Sequence, residues 1–134
     1  MANEARLIGV GVAAVLLFDL LASLASLRFG FSYGRASVGS YLVYLAIGFV
    51  AARTAATGPI AAAAFATGAV GLADASIGWA ISWALGPGRL PATQPLTPAR
   101  WLRTAAFVVV LAAVVGALGG VAGRRPPDMG ANVA

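Results

Sequence analysis

Apolar and small residues fill four long runs of this chain, and polar residues collect between them. The first run covers 7–27, about the ~20 apolar residues that cross a bilayer. The second covers 38–52 and is short, but it extends to about 36–56 because Arg35 and Arg53 can snorkel to the headgroups. The third covers 60–85 and is the longest; the fourth covers 102–121. The pattern predicts an all-α fold. The single domain, 1–134, is expected to be an integral membrane bundle of four transmembrane helices with short loops. Its spans are expected at about 7–27, 36–56, 60–85 and 101–122, with a disordered tail over 126–134.

The connections carry the signals expected of them. Residues 28–37, RFGFSYGRAS, alternate Phe29, Phe31 and Tyr33 with small residues and carry Arg28 and Arg35 on either side of them. That reads as an interfacial belt that anchors the loop at the headgroups. Thr57 and Gly58 precede Pro59, which suits the first position of a helix. In the longest connection, 86–99, Pro87, Pro91, Pro95 and Pro98 forbid regular structure. Thr97 and Pro98 read as the N-cap and first-turn proline of the fourth helix. Trp79, Trp83 and Trp101 belong to the same end as Phe29 and Tyr33.

Composition fixes the solvent. Of 134 residues 60% are hydrophobic and only 10% charged, where a soluble domain carries roughly 25% charged residues. The mean hydropathy is +0.90. Cysteine and histidine are absent, which removes disulfides, thiol chemistry, and the commonest general base and metal ligand. No metal site and no cofactor are expected. All nine basic residues are arginine and the net charge is +5. The arginines sit at the ends of apolar runs and form no basic cluster with interleaved aromatics. They therefore read as lipid anchors, with the bilayer as partner and no nucleic acid.

Two acids break the apolar runs. Asp19 lies in the middle of the first span and Asp74 in the third. A carboxylate at mid-membrane costs roughly 2.5–3.5 kcal/mol on insertion scales, so each needs a partner or a purpose. Both lie near mid-depth on helices that run the same way, so they can face one another if those helices are neighbours. No basic residue lies inside the hydrocarbon; Arg28 is roughly 13 Å along the axis from Asp19. Three roles remain. Each acid can be protonated and donate a hydrogen bond, the pair can share one proton or hold a cation, or both can line a wet path.

Other polar groups assemble around them by spacing. Tyr41 and Tyr44 share a face of the second helix and are obvious donors to a neighbouring carboxylate. Thr67, Gly71, Asp74, Gly78 and Ser82 form one stripe on the third. The expected ion- or substrate-binding set is Asp19, Asp74, Tyr41, Tyr44, Ser23 and Ser82. Gly71, Gly78, Gly116 and Gly120 are expected to pack helices, the last two as a GxxxG pair.

The function expected is a small transporter or channel for a proton, cation or cationic solute. The alternative is a non-catalytic accessory or assembly protein whose aspartates are protonated packing groups. Enzyme chemistry is not expected: no nucleophile motif such as GxSxG is present, and Ser76 beside Asp74 lacks a base. Arginines are nearly balanced across the two sides, five against four. The larger side lacks acids, so those loops are expected in the cytoplasm with both termini outside. Four helices enclose little interior, so a homo-oligomer or larger complex is expected, through the glycine faces of the third and fourth helices. The expected location is a bacterial or archaeal inner or plasma membrane.

Overall fold

Every regular element among the described residues is helical in the computed structural model, which describes residues 2–124. The tail expected at 126–134 lies outside that range. Four helices are long and apolar enough to cross a membrane: Asn3–Phe29, Tyr33–Thr54, Pro59–Leu85 and Pro98–Gly123. They hold 27, 22, 27 and 26 residues, or about 33–40 Å at ~1.5 Å per residue. A hydrocarbon core is roughly 30 Å thick.

Helix α1 is Ala2–Phe29. It starts before the apolar run because Glu4, Ala5 and Arg6 are able helix formers with no need of lipid. It stops at Gly30, whose φ of 71° is left-handed and whose N–H caps the Ser26 carbonyl at 2.9 Å. A short helix, α2 (Tyr33–Ala36), leads through a 3-10 turn at Ser37–Gly39 into α3 (Ser40–Thr54). Thus the second span is entered sooner than 36 and ends at 54. Helix α4 (Pro59–Ala73) has its proline in the first turn, as the sequence predicts. It continues through a π-helical turn, Asp74–Gly78, into α5 (Trp79–Leu85). Arg89 donates to the Trp83 and Ala84 carbonyls at the end of α5. Helix α6 is Pro98–Gly123, and the Thr97 hydroxyl accepts from the Arg100 N–H at 3.2 Å, the expected N-cap.

The packing is that of a membrane bundle, with small residues inside and large apolar ones outside. Leu42, Phe65, Phe107 and Leu118 are all exposed on outer faces. Helices α3, α4 and α6 form the tightest group, and α1 lies against α3, α4 and the π turn, away from α6. Glycines set those distances. A Cβ on Gly48 would strike the Gly116 carbonyl, and one on Gly119 the Leu45 carbonyl. Helices α3 and α6 therefore meet backbone to backbone. Gly116 also faces Thr67, Gly120 faces Ala63 and Gly71 faces Ala112. These glycine faces are filled from within the chain, so they do not offer a second copy the surface the sequence suggests.

Candidate functional site

The buried stripe of α1 runs Gly11, Val15, Asp19, Ala22 and Ser23, the steps that keep one face inward. Asp19 is therefore delivered to the interior by helical periodicity alone. Asp74 is delivered differently. It opens the π turn, in which the Trp79 N–H reaches the Asp74 carbonyl five residues back. The Ser76 hydroxyl donates to the Leu72 carbonyl at 2.6 Å in the same turn. Widening a turn by one residue rotates the rest of the helix by about 100°. The small-residue stripe shows the effect: Thr67 and Gly71 face α6, whereas Gly78 faces Asp19 on α1.

The two acids converge over Gly78. A Cβ built there would overlap Asp19 Oδ2 and stand 3.1 Å from Asp74 Oδ1. Asp74 lies within side-chain hydrogen-bonding reach of Asp19. Each acid also has a phenol. Tyr33 donates to Asp19 Oδ1 at 3.0 Å, and Tyr44 donates to Asp74 Oδ2. The result is a polar chain, Tyr33–Asp19–Asp74–Tyr44, drawn from α2, α1, the π turn and α3. Asp19 is only 1% exposed, and its Oδ2 has no donor among the described residues.

A recess of about 300 Å³ reaches this chain from the side of α6. Tyr41, Tyr44, Trp79, Thr104 and Phe107 wall it, and Asp74 belongs to its lining. Thr104 and Phe107, two of its lining residues, are exposed on the outer side of α6.

Of the residues expected to form the site, Asp19, Asp74 and Tyr44 are in direct contact. Tyr41 lines the recess with its ring 6.4 Å from that of Tyr44. Ser82 is fully buried and donates to the Trp79 carbonyl at 3.0 Å. Ser23 is buried one turn beyond Asp19 and has no partner among the described residues, so it is not joined to the chain of bonds. Gly78, expected only to pack helices, is where the acids meet. Tyr33 is the main omission. Its neighbours Phe29 and Phe31 are exposed, as an interfacial belt requires, but Tyr33 turns inward to Asp19. The signal was present: it is the one aromatic of the three with a hydroxyl. Trp79 also walls the recess, and it donates to the Gly88 carbonyl at 3.2 Å. No known protein family, curated protein or solved structure matches this chain.

Proposed function

We propose that this is an integral membrane protein that carries or conducts a proton, a cation or a cationic solute. Asp19 and Asp74 are its binding and coupling groups. The observation behind this reading is the convergence of two carboxyls over Gly78, one of them with an oxygen that lacks a donor. Two unit charges about 4 Å apart repel by about 4 kcal/mol at an effective dielectric near 20. An unpaired buried acceptor costs roughly 1–3 kcal/mol more. One proton shared between Asp19 Oδ2 and Asp74 Oδ1 removes both penalties and leaves the pair with one negative charge. A monovalent cation that displaces that proton leaves the charge of the site unchanged. This exchange is a means of coupling, and it calls for binding and release without catalysis.

The test is flux in proteoliposomes under an imposed pH gradient. Asp19→Asn and Asp74→Asn should each abolish cation-driven proton movement while helix content is retained. Flux that persists in both variants refutes the reading. A second reading is supported by the near-complete burial of Asp19 and its bond from Tyr33. In that reading the acids are neutral packing groups of an accessory protein. It requires that no flux exist in the wild type and that both variants keep its thermal stability.

A further inference from the structure

We infer that the recess beside Asp74 binds a monovalent organic cation of the tertiary or quaternary ammonium class, entering sideways from the lipid. The inference rests on the carrier reading above and names the substrate class of that same site. Charge is the first argument. Asp74 is the one acid in the lining, and no arginine lines the recess. The walls are the second. Tyr41, Tyr44, Trp79 and Phe107 supply four aromatic rings to the lining, and the negative quadrupole of such a ring attracts an ammonium group most strongly where water is excluded.

Size and donor set separate this ligand from a bare metal ion. About 300 Å³ matches the lower end of small-molecule pockets. A dehydrated ion would leave it nearly empty. A hard cation wants roughly six or more oxygens, and no group of three or more metal-ligating side chains exists among the described residues. An organic cation needs only one counter-charge and a greasy wall, which is what the recess supplies.

The surroundings of the mouth set the route. Thr104 and Phe107 are exposed on α6. Arg100 and Arg103 precede them on that helix and border the same outer surface. A hydrophilic cation arriving from water meets like charge there. A lipophilic cation already dissolved in the membrane reaches the mouth below the arginines.

The experiment uses the full chain in lipid nanodiscs and benzyltrimethylammonium as probe. That ion carries no acidic proton, so any proton released comes from the protein. Neopentylbenzene, its neutral isostere, is the control. Calorimetry and tryptophan fluorescence should show saturable binding that neopentylbenzene does not displace. Asp74→Asn should weaken it by about tenfold or more, and Phe107→Leu by roughly threefold to tenfold. Phe107 is exposed, so that variant keeps the fold even if the first does not. Equal binding to wild type and both variants overturns the inference, as does displacement by neopentylbenzene, which marks a lipid-filled crevice. If acid-dependent flux of protons or sodium is present but benzyltrimethylammonium does not bind, only this inference falls. If neither is seen, the carrier reading falls with it.

Discussion

Tyr33 Oη lies 3.0 Å from Asp19 Oδ1, and this bond ties the first connection to the middle of α1. It draws α2 inward and closes one end of the site. Tyr33→Phe keeps the ring and removes the bond, leaving Asp19 with neither oxygen bonded to a phenol. A buried acceptor stripped of its partner costs about 1–3 kcal/mol. The variant should melt at lower temperature than wild type in the same detergent. In the Asp19→Asn background the same change should cost less, because the charge-assisted bond is already gone. Unchanged melting in both backgrounds would show that the bond does not form.

Gly78 tests the convergence of the acids without altering either one. A Cβ at this position overlaps Asp19 Oδ2 and crowds Asp74 Oδ1, so Gly78→Ala must push the carboxyls apart. The substitution also suits a helix better than glycine by about 1 kcal/mol. Helix content should therefore survive while acid-dependent flux falls to the level of Asp19→Asn. Flux equal to wild type would mean the carboxyls need not meet.

The four spans were legible because lipid imposes one simple demand, about 20 apolar residues with all backbone bonds internal. Asp19 and Asp74 were legible for the converse reason: a carboxyl in an apolar run is costly and conspicuous. The N-cap at Thr97 and the proline at Pro59 were local signals, and local signals are short enough to read directly. What stayed hidden depends on geometry between elements. The π turn adds one residue to a helix whose composition is continuous across it, and 74–78 carries no break such as proline. Tyr33 looks like its exposed neighbours until α2 folds back. The glycine faces are visible in the sequence, but periodicity does not say whether the opposing surface is one's own chain or another.

Among the described glycines the closest approach to backbone is at Gly48, where an added Cβ meets the Gly116 carbonyl and backbone that cannot yield. Gly48→Ala should destabilise by about 1–3 kcal/mol or more. Gly68 offers the contrast. A Cβ there finds Ala113 Cβ at 3.8 Å and Val109 Cγ1 at 4.0 Å, ordinary contacts. Gly68→Ala should be neutral or stabilise by up to about 1 kcal/mol through helix propensity. Thermal melts of the two variants should thus move apart. If the glycine faces served a second copy instead, Gly48→Ala would change the oligomer size and leave the melting of the isolated chain alone.

A pair that holds one proton and exchanges it for one cation gives the site a pH dependence of fixed sign. Asp74 is met by Asp19 from α1 and Tyr44 from α3. From α6 the recess is lined by Thr104, Phe107, Val108 and Leu111, none of them charged. Raising the pH by one unit lowers the competing proton tenfold. Cation affinity should therefore rise with pH, by up to about tenfold per unit while the pair still holds its proton. It should level off once the proton is gone. Titrating benzyltrimethylammonium binding from about pH 5.5 to about pH 8.5 measures this. The same titration in an unbuffered sample should release up to one proton per cation bound. Affinity that falls with rising pH, or stays flat with no proton release, excludes exchange at the carboxyl pair.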